Sequence, residues 1–146
     1  LDYDEEKIQV AANTHYSVLY KNIEFAQVDL TQFTPEAADC FIIKDVLHYF
    51  PAADQEALLQ RCGEKLNDCG IIIIRDGIED EQQKHGVTKL TEVFSTKLFG
   101  FNKTENELEF LPEARILSFA EQFNLSVERL ENKASSNILF ILRKDN

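Results

Sequence analysis

Chemically capable side chains stand just beyond two apolar segments of this 146-residue chain. His48 follows the apolar run 38–44, and Asp76 follows four consecutive isoleucines at 71–74. Histidine exchanges protons near neutral pH, so His48 can act as a general base toward a weak nucleophile such as a hydroxyl group. If the two runs form adjacent strands, Asp76 lies within reach to orient the imidazole. The alternative is structural, with His48 packing at a helix start and Asp76 capping a turn.

The elements that position these residues follow from apolar periodicity, helix caps and chain breakers. The predicted strands are 23–28, 38–44, 71–74, 125–130 and 137–142. The predicted helices are 4–20, 51–66, 88–98 and 111–123. Alternating helices and strands indicate an α/β domain with a parallel sheet, and the short turn at 135–137 implies an antiparallel strand at its edge. We expect one domain over residues 1–146.

Two helices show a clear apolar stripe. The helix after Pro51 is predicted to bury Leu58, Leu59, Cys62 and Leu66, and a turn at 67–70 should end it. The helix that opens at residue 111 is predicted to bury Ile116, Leu117, Phe119, Ala120 and Phe123. The run 38–44 lacks alternation, which suits a strand covered on both faces.

The charge balance limits the partners. The formal net charge is −11, from 15 basic and 26 acidic residues. A surface of this sign repels phosphate backbones and anionic lipid headgroups, so no nucleic-acid partner is expected.

Cysteine usage and hydropathy indicate a cytoplasmic protein. Cys40, Cys62 and Cys69 are odd in number and fit no zinc signature, so we expect reduced thiols and no metal site. No apolar run approaches the roughly 20 residues that span a bilayer, and no signal peptide opens the chain. The chain starts at Leu1 and contains no methionine, which fits an excised segment.

Several motifs together resemble the class I S-adenosylmethionine-dependent methyltransferases. The passage ADCFIIKDVLHYFPAADQEALLQRCGEKLNDCGIIIIRDGI is similar to the family's fourth strand, following helix and fifth strand. Upstream, LDYDEEKIQVAAN resembles the end of the second strand and its helix, and IEFAQVDL resembles the third strand. Downstream, LSVERLENKASSNILFILRK resembles the sixth and seventh strands. The resemblance covers nearly the whole chain and implies a Rossmann-like sheet, mostly parallel with an antiparallel last strand and helices on both faces.

The resemblance also implies a missing part. The family's first strand and its glycine-rich loop would precede Leu1, and none of the five glycines here forms such a loop. Glycines allow the backbone to approach the cofactor closely. We therefore expect an incomplete sheet and weak or absent S-adenosylmethionine binding in this segment alone. Exposed strand edges would favour self-association or a shifted third strand.

Family resemblance assigns cofactor roles to residues near the chain start. Asp2 matches the acid that accepts hydrogen bonds from the ribose hydroxyls, and Tyr3 would pack near the adenine. Asp29 matches the acid that contacts the adenine amino group, and Leu30 would flank the ring. The structural alternatives are a solvated acid at position 2 and a turn-forming acid at position 29.

The resemblance places further roles at the ends of the fourth and fifth strands. Lys44, Asp45 and Val46 would touch the cofactor, largely through the backbone, because open α/β sheets bind ligands at this edge. His48 occupies the place of the histidine that, in small-molecule O-methyltransferases, removes the proton from the acceptor hydroxyl. Asp76 matches the acid beside that histidine.

The segment after the fifth strand often contributes to the acceptor pocket in this family. Here the aromatic-rich stretch supplies the candidate acceptor contacts Phe94, Phe99, Phe101 and Asn102. An aromatic wall suits an apolar or aromatic acceptor, although core packing is the alternative for each single phenylalanine.

The favoured interpretation is a methyltransferase domain segment. The intact protein, with further domains upstream, would transfer a methyl group from S-adenosylmethionine to a small-molecule or lipid-like acceptor, at oxygen. The segment alone is expected to be inactive. A second hypothesis is a non-catalytic interaction module of methyltransferase shape. A third, a nicotinamide-dependent Rossmann enzyme, is disfavoured because the G-x-G-x-x-G fingerprint is absent.

Overall fold

A computed structural model of the chain describes residues 1–14, 22–78, 108–131 and 137–145. Two compact units emerge, residues 1–34 and 35–146, and each is described by itself. The predicted helix at 88–98 lies outside the described residues, as does the end of the predicted helix at 4–20. The interpretation of the chain as one domain stays a prediction.

The first unit contains helix α1, Glu5–Thr14. It begins one residue later than predicted because Asp4 caps it, with Oδ1 accepting a hydrogen bond from the Glu6 N–H at 2.9 Å. The predicted strand at 23–28 is wrong as a strand. In the described residues a single parallel bridge pairs Gln27 of this segment with Asp2.

The second unit contains a four-stranded sheet of β1 (Ala38–Lys44), β2 (Leu66–Gly77), β3 (Leu125–Glu131) and β4 (Asn137–Lys144). Their order is β1-β2-β4-β3. Strand β1 is parallel to β2, while β4 is antiparallel to both β2 and β3. Three strands therefore share one direction and the last strand opposes them. The predicted mostly parallel α/β sheet with an antiparallel last strand is confirmed. The prediction that this antiparallel strand forms the edge is wrong, because β4 lies between β2 and β3.

The buried layer lies on one face of β2 and β4. Ile72, Ile74, Phe140 and Leu142 alternate along these two strands and are 0% exposed. Helix α2 (Ala52–Lys65) links β1 to β2, and helix α3 (Glu113–Gln122) precedes β3. The predicted stripe of α2 is buried as expected. On α3, however, Leu117 is 46% exposed, so its predicted burial is wrong.

The start of β2 differs from the predicted turn. Helix α2 ends at Lys65, and Leu66 already pairs with Ala38 before the register shifts to Ile71. Gly70 accommodates this irregularity, since a Cβ there would lie 2.8 Å from the Asn67 carbonyl oxygen. Residues 67–70 thus belong to the first part of β2. Among the described residues, the model contains no helix with the length and apolar character needed to cross a membrane.

Candidate active site

The carboxyl ends of β1 and β2 meet at a turn built around Asp45. Its N–H donates to the Arg75 carbonyl at 2.8 Å, which extends the parallel pairing. Asp45 adopts a left-handed backbone conformation with φ of 52°. Its Oδ2 forms an ion pair with Arg75, and its Oδ1 accepts a hydrogen bond from Asn137 Nδ2 at 2.7 Å. The Asp45 side chain is therefore bonded to two other side chains, Arg75 and Asn137, at the edge where the cofactor was predicted to bind.

Asp76 organises the short 3-10 helix Leu47–Tyr49 that follows this turn. The carboxylate is 1% exposed. Its Oδ2 accepts hydrogen bonds from the N–H groups of Val46 at 3.1 Å and Leu47 at 2.8 Å. Its Oδ1 accepts from the Gly77 N–H at 2.8 Å and pairs with His48 Nδ1. One buried side chain thus supplies the acceptors for three backbone donors and the imidazole.

His48 is 2% exposed and is bracketed by aromatic rings. The Tyr49 ring centroid lies 4.2 Å away, and the Phe110 ring stacks at 5.6 Å with an interplanar angle of 25°. A carboxylate accepts hydrogen bonds, so the pairing with Asp76 favours the tautomer with a proton on Nδ1. Nε2 is then the basic nitrogen of the ring.

The electrostatics of the same network act on Tyr49. Burial, together with the negative charges of Asp76 and Asp45, raises the pKa of the Tyr49 phenol above its ordinary value. The phenol therefore remains a neutral hydroxyl beside the imidazole at physiological pH.

Gln55 is a buried polar residue that sequence reasoning missed. It is 0% exposed, and its Nε2 donates to the carbonyls of Phe50 at 2.8 Å and Glu109 at 2.6 Å. The Glu109 N–H in turn donates to the His48 carbonyl at 3.0 Å. No hydrogen-bond partner for Gln55 Oε1 is found within the described parts of the chain. Gln55 therefore connects the first turn of α2 to residues beside His48.

A signal for Gln55 was present in the sequence. Leu58, Leu59 and Cys62 follow it at spacings of three, four and seven residues, so Gln55 continues the buried stripe of α2. A polar residue in a stripe of this kind indicates a buried hydrogen bond.

The first unit contains the other predicted cofactor residues. Asp2 N–H donates to the Ala26 carbonyl at 3.3 Å, and Val28 N–H donates to the Asp2 carbonyl at 2.9 Å. These bonds align Asp2 beside the segment that leads to Asp29. Asp2 Oδ1 accepts from the Asp4 N–H at 2.9 Å. Tyr3 is 58% exposed.

Asp29 adopts the local bonding that the turn interpretation described. Its Oδ1 accepts hydrogen bonds from the Thr31 N–H at 2.9 Å and the Thr31 hydroxyl at 2.7 Å. The side chain is exposed, and Leu30 beside it is partly buried. Both residues keep their predicted cofactor roles as predictions.

The structure brings together part of the predicted site. His48 and Asp76 are in direct contact, and Asp45 and Val46 join the same network. Lys44 is exposed at the end of β1. The predicted acceptor contacts lie outside the described residues: Phe94, Phe99, Phe101 and Asn102.

Known proteins share this fold. An O-methyltransferase family protein from Burkholderia thailandensis has a TM-score of 0.71 at 21% identity, over 99% of this chain and 42% of that chain. An O-methyltransferase family 2 protein from Planctomyces limnophilus, in complex with apigenin, has a TM-score of 0.69 at 17% identity, over 98% and 41%. Human N-acetylserotonin methyltransferase in complex with SAM has a TM-score of 0.66 at 18% identity, over 99% and 39%.

The chain spans about two fifths of the length of these solved structures. The search of curated proteins found no match. The family model described as "Methyltransferase domain" matches residues 1–135. The directions of β1 to β4 agree with the predicted fourth to seventh strands. The chain belongs to the methyltransferase domain family.

Proposed function

We propose that the protein carrying this chain transfers a methyl group from S-adenosylmethionine to the hydroxyl oxygen of a small-molecule acceptor, with His48 as the general base. The observation that carries the proposal is the buried contact between His48 Nδ1 and Asp76 Oδ1 at the carboxyl ends of two adjacent parallel strands. Open α/β sheets bind ligands at this edge.

His48 is suited to take a proton because its other ring nitrogen is fixed. Asp76 holds Nδ1, so Nε2 faces the acceptor hydroxyl in the productive complex and accepts its proton. The carboxylate then stabilises the imidazolium that forms. Burial keeps bulk water away from the ring, which strengthens both interactions. Asp76 thus acts through His48, as a positioning residue.

The first unit suits the nucleoside part of the cofactor by the chemistry of its acceptors. Two carboxylates, Asp2 and Asp29, stand on neighbouring segments joined by the Asp2–Gln27 bridge. Carboxylates accept hydrogen bonds from ribose hydroxyls and from an exocyclic amino group. When bound, S-adenosylmethionine supplies an electrophilic methyl group. We propose that Asp2, Tyr3, Asp29 and Leu30 hold its nucleoside. In the second unit, Lys44, Asp45 and Val46 keep their predicted backbone contacts with the cofactor as predictions.

The test replaces the base in the full-length protein. His48→Gln should lower kcat for methyl transfer about 10²–10⁴-fold, the usual contribution of a general base. The KM for S-adenosylmethionine should stay within about twofold, because the substitution leaves the proposed cofactor contacts intact. Gln60→Leu, at a partly buried position of α2 whose side chain bonds Glu64 and Gln122, serves as the control substitution and should change neither constant. Unchanged methyl transfer in His48→Gln would assign His48 a structural role.

Acceptors of graded acidity separate a base from a residue that only shapes the site. A phenol that is already ionised at the assay pH needs no proton removed. His48→Gln should therefore lose much less rate with an acidic nitrophenol than with an unactivated phenol of the same size. An equal loss with both acceptors contradicts proton removal by His48.

A further inference from the structure

Three contacts from residues distant in sequence hold His48, and Asp76 makes one of them. The carboxylate holds the side chain at Nδ1. The Glu109 N–H holds the His48 carbonyl at 3.0 Å. Phe110 stacks on the ring with centroids 5.6 Å apart. Two of the three contacts come from one short segment, residues 109–110, which is far from His48 in sequence.

Residues 109–110 are held by a hydrogen bond from Gln55 and by the pairing of the next residue, Leu111, with Ile78. Gln55 Nε2 donates to the Glu109 carbonyl at 2.6 Å and to the Phe50 carbonyl at 2.8 Å. Leu111 pairs with Ile78 in a parallel bridge directly after β2, and both are almost fully buried. The backbone of Glu109 therefore makes two hydrogen bonds: its N–H donates to the His48 carbonyl, and its carbonyl accepts from Gln55.

We propose that Gln55 is a positioning residue of the acceptor site, which fixes Glu109 and Phe110 and so sets the orientation of the His48 ring. The inference rests on the proposed function, in which His48 is the base. Phe110 then forms a flat apolar wall against the imidazole, which favours planar, apolar acceptors over flexible polar ones.

Stability alone does not explain an amide at this position. Gln55 makes two hydrogen bonds through Nε2, while its buried Oε1 lacks a partner within the described parts of the chain. The free energy gained from the two Nε2 hydrogen bonds and the desolvation penalty of the buried Oε1 roughly offset each other. A leucine would continue the apolar stripe of α2 without the penalty. The distinctive effect of glutamine here is to tie residue 109 to the helix.

The first experiment follows the His48 ring by NMR in the full-length protein. The chain contains three histidines, and the His48 signals are identified by their absence in His48→Gln. Stacking on Phe110 shifts these signals through the ring current. In Gln55→Leu they should move toward unshifted positions, as they should in Phe110→Leu. Gln60→Leu removes an amide of the same helix that bonds Glu64 and Gln122, and it should leave these signals in place.

Kinetics provide the second readout. Gln55→Leu should lower kcat about 10- to 100-fold, the range expected when a reacting group is misplaced by about 1 Å. The KM for S-adenosylmethionine should not change. Should Gln55→Leu not fold, Gln55→Asn carries the same predictions, since its amide is one methylene too short to reach both carbonyls.

The outcomes separate the two proposals. His48 signals that stay unmoved in a folded Gln55 variant overturn the positioning role, whatever the activity of His48→Gln. If the His48 signals move in the Gln55 variant but His48→Gln retains full methyl transfer, Gln55 positions the ring through Glu109 and His48 is not the base. Signals that move together with a loss of kcat in both variants support both proposals.

Discussion

Asp76 and Asp29 are two carboxylates that each follow a predicted strand, and the structure uses them in opposite ways. Asp76 is 1% exposed and accepts from three backbone N–H groups and an imidazole. Asp29 is exposed, and its Oδ1 accepts from the N–H and hydroxyl of Thr31, two residues away. The first joins the end of β2 to residues 46–48, whereas the second shapes a local turn.

The difference separates a residue that builds a site from one that meets a ligand. A buried carboxylate surrounded by donors has little capacity left for a substrate, so it acts through the groups that it holds. An exposed carboxylate with a local turn bond retains an accessible oxygen for a bound molecule. We therefore expect substitutions of Asp76 to affect folding and catalysis together, and those of Asp29 to affect ligand binding.

The largest expected effect is on stability, and it tests the contrast between Asp76 and Asp29 directly. Asp76→Ala leaves three backbone donors and His48 Nδ1 without their acceptor, and should lower the free energy of unfolding by about 3–5 kcal/mol. Asp29→Ala removes an exposed turn acceptor and should cost less than about 1 kcal/mol. Urea unfolding followed by circular dichroism measures both. Similar losses in the two variants would show that Asp76 is not the organising residue.

A smaller effect is expected at Asp45, where backbone conformation and side-chain contacts can be separated. Asp45→Ala and Asp45→Gly both remove the contacts to Arg75 and Asn137. Only alanine also strains the backbone at a φ of 52°. Asp45→Ala should therefore be less stable than Asp45→Gly by about 1 kcal/mol in urea unfolding. Equal stability of the two variants contradicts a left-handed conformation at this turn.

Periodicity predicted most of the second unit because its strands and helices bury one continuous face. The strand predicted from the four isoleucines at 71–74 is part of β2, and the strand predicted at 137–142 is most of β4. Two features escaped this reasoning. The pairing of Leu66 with Ala38 depends on a register shift, and in the first unit the segment predicted as a strand forms a bridge between Gln27 and Asp2 instead. Both are set by contacts distant in sequence.

The candidate site was predictable in its residue types and only partly in its connections. His48 and Asp76 were identified from their places after two strands, and the structure pairs them. The ion pair between Asp45 and Arg75 was not predicted, because nothing in the local sequence shows which cation faces Asp45. The tie between Gln55 and Glu109 joins residues 54 positions apart, so no local pattern indicates the partner.

The most subtle test uses Tyr49, whose phenol senses Asp76 and Asp45 at once. Burial and these two negative charges raise its pKa, with burial as the largest cause. The difference in absorbance near 295 nm between the wild type and Tyr49→Phe should therefore reveal a titration above pH 10. Asp45→Asn should lower this pKa without restoring the ordinary value, because burial remains.

The same shift determines the sign of a stability change. A phenol with a higher pKa in the folded than in the unfolded state contributes to stability below the unfolded pKa, and this contribution is lost as pH rises through the folded pKa. Above pH 10, the free energy of unfolding should therefore fall faster in the wild type than in Tyr49→Phe. Parallel decline of the two proteins, or a Tyr49 titration at or below pH 10, would mean that burial and the two carboxylates do not raise the pKa of the phenol. The contrast between the Asp76 network and the exposed Asp29 would then rest on the unfolding measurements alone.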